Sequence, residues 1–97
     1  FNMTTGPVHW DLAFRSRAVD NQFFVAGCSP ARDEAASYVA YGHSLVCNPW
    51  GTILQQLGHQ PGVCVTAVDL DDVAKYRGQI PILSGRRTDL YETIQKT

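Results

Sequence analysis

Covalent chemistry in this sequence would have to come from Cys28, Cys47, Cys64 or a hydroxyl such as Ser44. Cys28 ends a predicted strand, a place where a nucleophile could sit. A reactive thiol needs a base or a positive dipole beside it, and Ser29-Pro30 supplies neither. Cys47 and Cys64 fall inside predicted strands and read as small core residues. The three thiols are widely separated, with no C-x-x-C pair, so a shared metal site with a histidine is not expected. Gly42-His43-Ser44-Leu45-Val46 half matches the Gly-x-Ser-x-Gly nucleophile elbow, but the second glycine is missing and no helix follows the serine. His43 therefore reads as a hydrogen-bonding residue at a strand entrance, His9 as a packing or capping residue, and His59 as exposed in a turn.

Binding chemistry concentrates at the other end of the chain. Phe1-Asn2-Met3-Thr4-Thr5-Gly6-Pro7 reads as a loop feeding a helix over His9 to Asn21. Phe1 and Met3 offer apolar walls, and Asn2, Thr4 and Thr5 offer small hydrogen-bonding groups. In α/β proteins such loops lie outside the carboxyl ends of strands, where ligands collect. Pro7 suits a first helical turn, the Thr4 and Thr5 hydroxyls are candidate caps, and Asp11 is placed near the positive end of the helix dipole. No strand precedes this loop, so the sequence reads as one entered in the middle of a domain.

The elements that must hold these residues follow from periodicity. Trp10, Ala13, Phe14 and Ala18 form one stripe of the first helix, and Arg17 and Asp20 are spaced to pair on its surface. Phe23 to Ser29 reads as a buried strand ended by Pro30, and Ala31 to Tyr41 as a polar connection. Ser44–Asn48 and Thr52–Leu57 form a hairpin through Asn48-Pro49-Trp50-Gly51, where Pro sets the first turn dihedral and Gly takes a positive one. Gly62 to Asp69 is expected as a strand buried on both faces. Asp69 then caps a helix carrying Asp71 and Asp72 in its first turn and stopped by Pro81. Two helices and about four strands make an α/β piece. Alone it would leave sheet edges and helix faces bare, so a covering segment or subunit is expected.

Composition narrows the partners. A net charge of −1 over 97 residues argues against nucleic acid, and Arg86-Arg87 is too short a basic run to change that. No apolar run approaches the roughly 20 residues of a membrane span. Three unpaired cysteines suit a reducing compartment. The Asn2-Met3-Thr4 sequon reads as a chance match.

Taken in order, the motifs resemble one family. Phe1–Pro7, His9-Trp10, Arg15–Gln22, Ser29-Pro30-Ala31-Arg32-Asp33, Ala36–Ala40, Gly42-His43-Ser44, Asn48-Pro49-Trp50-Gly51 and Arg86-Arg87-x-Asp89-Leu90-Tyr91 are similar to the nitrilase, or carbon–nitrogen hydrolase, superfamily. Asn48 in the turn, the Ser-Pro-Ala-Arg-Asp run and the Val-Asp-Asn-Gln helix end look most like its omega-amidase branch. Members acting on deaminated glutathione tend to carry Asp at the turn.

The resemblance implies that residues 1–97 are the C-terminal portion of an α-β-β-α sandwich, incomplete on its own. It implies hydrolysis of the amide of 2-oxoglutaramate or 2-oxosuccinamate by a Cys, Glu and Lys triad. All three belong to motifs upstream of the matched region, so Glu34, Lys75 and the cysteines inherit no role. Phe1, Asn2, Met3, Thr4 and Thr5 become the substrate-pocket candidates, with no metal and no cofactor. The implied partners are the upstream half of the same domain, a small amide substrate and a second copy in a homodimer or larger oligomer. The implied location is cytoplasmic, with mitochondria as a second site. The alternatives are an amidase of the same fold for another substrate, such as deaminated glutathione, and a non-catalytic fragment serving as an interaction module.

Overall fold

A computed structural model describes all residues from Phe1 to Thr97. Five elements follow one another: α1 (Gly6–Asn21), β1 (Val25–Gly27), β2 (Leu45–Cys47), β3 (Ile53–Gln56) and α2 (Asp71–Gln79). The strands form one antiparallel sheet in the order β1-β2-β3. Val25 faces Cys47 and Gly27 faces Leu45, so Leu45 and Cys47 share the face that α1 covers.

The α1–sheet interface is the core. Trp10, Ala18, Leu45 and Cys47 are buried there, with Phe14, Val25, Tyr41 and Ile53 packed around them. The expected stripe is thus the buried one. Trp10 stands edge-on to Phe14 with ring centroids 4.5 Å apart. Its Nε1 donates to the His43 carbonyl at 2.7 Å, so the largest core side chain leaves no polar atom unpaired. A Cβ at Gly27 would lie 2.6 Å from Phe14 Cζ; β1 needs glycine there for the helix to approach.

The β2–β3 hairpin matches its sequence signal. Gly51 has φ 83° and its N–H donates to the Asn48 carbonyl at 2.9 Å. Asn48 Oδ1 accepts from the Trp50 and Thr52 amides, each at 3.0 Å. Arg15 Nε donates to the Gly51 carbonyl at 2.7 Å, tying the turn to α1.

Several expectations are corrected. The first helix begins at Gly6, not His9, and no side chain of Thr5 caps it. Asn2 instead folds the turn before the helix: its Oδ1 accepts from the Thr4 and Thr5 amides at 3.0 and 3.1 Å, and no side chain caps the first turn of α1. Asp11 lies beyond the first turn and accepts from Gln56 Nε2 at 2.8 Å instead of serving the dipole. The first strand is shorter than Phe23 to Ser29 and only partly buried.

The strand expected over Gly62 to Asp69 is absent, which leaves three strands instead of four. Val63 and Val65 are each 88% exposed, and Cys64 is half-buried instead of a core residue. That segment has the β-branched composition of a strand, but a strand exists only with a ladder partner. Its tie to the sheet is one side-chain bond, Thr66 Oγ1 to Gln55 Oε1 at 2.7 Å. The radius of gyration of 16.7 Å exceeds the roughly 13 Å of a compact domain of this size, because this segment and everything after it lie outside the core.

Candidate functional site

The opening loop is held firmly. Asn2 pairs with Ala40 in a β-bridge, and Tyr41 donates its N–H to the Phe1 carbonyl at 2.8 Å. The Phe1 ring stands edge-on to Trp10 at 5.2 Å, so the loop rests on the core. Asn2 is largely consumed: besides two amides, its Oδ1 accepts from Thr5 Oγ1 at 3.2 Å, and its carbonyl accepts from the Gly6 amide at 2.8 Å. Pro7 has no N–H, and the amides of Val8 and His9 reach the Thr5 carbonyl. The first turn of α1 therefore has few free donors. Phe1, Met3 and Thr4 face solvent. The loop is a preformed ledge that presents one hydroxyl between two apolar side chains.

A cleft of about 590 Å³ opens elsewhere, between the ends of β1 and β2 and the segment from Leu57 to Cys64. Cys28, Ser44 and Cys64 are among its lining, and none of Phe1–Thr5 is. Cys28 and Ser44 thus meet in one cleft, but not in a reactive arrangement. Ser29 donates its N–H to Ser44 Oγ at 2.9 Å, and Ser44 Oγ donates to the Ser29 carbonyl at 3.3 Å. That hydroxyl stitches β1 to β2. His43 also lines the cleft, with Nδ1 2.9 Å from the Tyr41 carbonyl and its ring stacked on Tyr41 at 4.1 Å.

Gly42 and His43 have φ 79° and 64°, so the backbone does turn sharply as at an elbow. Ser44 then enters a strand, and the serine has no base. Arg32, which sequence reasoning passed over, braces this turn. Its Nη2 donates to the Tyr41 carbonyl at 2.9 Å and its Nε to the Ala40 carbonyl at 3.3 Å. The Ser-Pro-Ala-Arg-Asp run carried that signal.

The cysteines are chemically quiet. Cys47 is buried under α1, and burial pushes its thiol up. Nearby Arg15 opposes that shift and Asp11 adds to it. Cys28 is exposed, Cys64 half-buried, and neither is paired. Glu34 sits 4.0 Å from Arg32, and Lys75 lies over the Tyr76 ring at 5.6 Å. Around these side chains no nucleophile, base and oxyanion donor come together.

Comparison with known proteins matches the model of the family described as "Carbon-nitrogen hydrolase" to residues 1–78. An omega-amidase NIT2 from Bos taurus is 56% identical over 96 residues, which is 99% of this chain and 35% of that protein. The Danio rerio omega-amidase NIT2 is 58% identical over 91 residues, 94% of this chain and 33% of that protein. The chain spans about a third of the length of the curated relatives it matches. Among solved structures, Saccharomyces cerevisiae Nit3, a member of branch 10 of the nitrilase superfamily, superposes with a TM-score of 0.84 at 45% identity. That match covers 90% of this chain and 32% of Nit3. The C. elegans NitFhit protein superposes with a TM-score of 0.87 at 35% identity, over 95% of this chain and 22% of that one.

Proposed function

The chain belongs to the carbon–nitrogen hydrolase family, and from that premise we propose that the complete protein is an omega-amidase. The observation that carries this reading is identity above one half with omega-amidases across nearly the whole chain. The reaction is hydrolysis of the terminal amide of 2-oxoglutaramate or 2-oxosuccinamate to the 2-oxo acid and ammonia. A cysteine thiolate adds to the amide carbon, ammonia leaves with a proton from the glutamate, and water cleaves the thioester. A lysine ammonium stabilises the oxyanion of each tetrahedral intermediate. In this reading those three groups belong to the part of the protein that precedes Phe1.

The contribution of residues 1–97 is positional. Phe1–Thr5 forms one rim of the substrate pocket at the N-terminal end of α1. Thr4 offers the exposed hydroxyl, Phe1 and Met3 the apolar walls, and Asn2 with Thr5 fixes the ledge. The exposed side of α1, with Val8 and Leu12 more than 60% exposed, is the surface we assign to a second copy in a homodimer. Three unpaired cysteines suit a cytoplasmic setting.

Ammonia release from 2-oxoglutaramate by the complete protein, beside deaminated glutathione, tests the activity. Turnover of the second substrate alone would replace this reading with another amidase of the same fold. Thr4→Val in the complete enzyme tests the loop: KM should rise with the melting temperature unchanged. A lost hydrogen bond to a charged group costs about 1.5–3 kcal/mol, roughly a 10- to 150-fold loss in kcat/KM. Unchanged kinetic constants would remove the loop from the site.

A further inference from the structure

One residue grips the opening loop at both ends. Tyr41 donates its N–H to the Phe1 carbonyl at 2.8 Å, and its neighbour Ala40 bridges Asn2. The Tyr41 ring lies against Gly6, the residue that follows the loop, so closely that a Cβ on Gly6 would overlap the ring. Where Tyr41 stands therefore decides where the Phe1–Thr5 ledge stands relative to α1.

Arg32 decides where Tyr41 stands. Its Nη2 donates to the Tyr41 carbonyl at 2.9 Å and its Nε to the Ala40 carbonyl at 3.3 Å. Its guanidinium carbon is 5.9 Å from the centre of the Tyr41 ring. No backbone amide of residues 1–97 donates to either carbonyl; the other contact of the Tyr41 carbonyl is His43 Nδ1, at 2.9 Å. The arginine is itself anchored, because its N–H donates to the His59 carbonyl at 2.9 Å and its side chain is only 13% exposed. Glu34, 4.0 Å away and 78% exposed, is too distant and too solvated to compete for the guanidinium. A planar fork can meet two successive carbonyls at once, which an ammonium on a flexible stem cannot do in a fixed geometry. Every bond in this path joins two of residues 1–97, so the path is complete within them.

We propose that Arg32 is a positioning residue for the substrate pocket: acting through Tyr41, it holds the Phe1–Thr5 ledge at the place where Thr4 meets the substrate. The proposal rests on the reading of that ledge as a rim of the pocket. It gives Arg32 no contact with the substrate or the reacting atoms. A displaced ledge weakens substrate binding, so the effect falls on KM more than on kcat.

Arg32→Lys in the complete enzyme, beside Thr4→Val and the double variant, tests this. Arg32→Lys should lower kcat/KM roughly ten- to hundred-fold, mainly through KM, because a misplacement of about 1 Å has effects of that size. If the arginine acts through the ledge, the double variant loses little more than the worse single one, whereas independent losses multiply. Hydrogen exchange at the Tyr41 amide should quicken about ten-fold or more in Arg32→Lys, with the amides of Leu45–Cys47 unaltered. Arg32→Gln puts an amide nitrogen where Nε stands and keeps the Ala40 bond alone; it should show a smaller loss, and it serves if the lysine variant is too unstable to assay. The proposal is overturned if Thr4→Val impairs the enzyme and Arg32→Lys does not, if their losses multiply, or if Tyr41 exchange is unaltered. Unchanged kinetic constants for Thr4→Val alone would instead remove the ledge from the site, which ends the pocket reading and the positioning role with it, whatever the exchange shows.

Discussion

Replacing Gly51 by alanine should be among the most damaging single-methyl changes in this chain. Two independent costs meet there. The residue has φ 83°, and an L side chain in the left-handed region costs about 1–2 kcal/mol. The added Cβ would also stand 2.6 Å from Val19 Cγ2 on α1, well inside contact distance. Relief requires Val19 to leave its rotamer or α1 to shift, and overpacking of that kind costs about 1–3 kcal/mol. The sum is roughly 2–5 kcal/mol, before any loss of the Arg15 bond to the Gly51 carbonyl.

Denaturant unfolding of the complete protein would measure the change, and a double-mutant cycle would separate the parts. Val19 is 42% exposed, so Val19→Ala alone should cost below about 1 kcal/mol. Combined with Gly51→Ala it should recover the steric share and leave the conformational one. A loss under about 1 kcal/mol for Gly51→Ala would refute both the turn geometry and the close approach of α1. A double mutant no better than the sum of its parts would refute the clash alone.

Further outcomes follow from the cysteines. A Cys28→Ala, Cys47→Ala, Cys64→Ala variant of the complete enzyme should keep its amidase turnover, since none of the three has an activating partner; loss of turnover in a folded variant would place a nucleophile here. A thiol reagent should modify Cys28 first, Cys64 more slowly and Cys47 only on unfolding, which mass mapping of the labelled peptides would show. The raised Cys47 thiol also sets a pH dependence. Its proton is held more tightly when folded, so the associated stability is fully present below the free thiol's pKa and declines as pH rises through it towards the folded value. Melting temperatures should therefore fall more steeply above about pH 9 in the unmodified protein than in Cys47→Ala, and parallel curves would contradict the burial of that thiol.

The parts of the fold that the sequence made legible are those determined by near neighbours. The Trp10–Phe14–Ala18 stripe and the Asn48–Gly51 turn are local patterns, and both stand in the structure. The opening loop is legible, but the Thr4 and Thr5 hydroxyls do not cap α1, and Asn2 folds the turn ahead of it. Asn and Thr side chains both accept well from nearby amides, and only the path of the chain decides which one reaches them. The strand expected at Gly62–Asp69 failed for a different reason: Val63 and Val65 carry strand propensity, but pairing depends on a partner that no local pattern names. Arg32 was invisible as a structural residue because its acceptors are carbonyls, which every residue has. The proposed reaction rests on likeness to relatives, and no arrangement of side chains within residues 1–97 points to it.

The link between Trp10 and the His43 carbonyl spans 33 positions, and that from Arg15 to Gly51 spans 36. Helix α1 is thus synthesised well before β2 and β3, the strands that complete the cover over its apolar stripe. The β2–β3 hairpin closes over a short turn in about 1–10 μs once both strands exist. Synthesis itself runs at about 5–20 residues per second, so seconds pass between the emergence of α1 and that of β3. During that interval Trp10 and Phe14 have only Phe1 and β1 to lie against, and the window invites a chaperone that shields helical apolar stripes. Slow codons placed between Asn21 and Leu45 would lengthen the exposure, whereas slow codons after Gln56 would give the finished core time to close before α2 emerges.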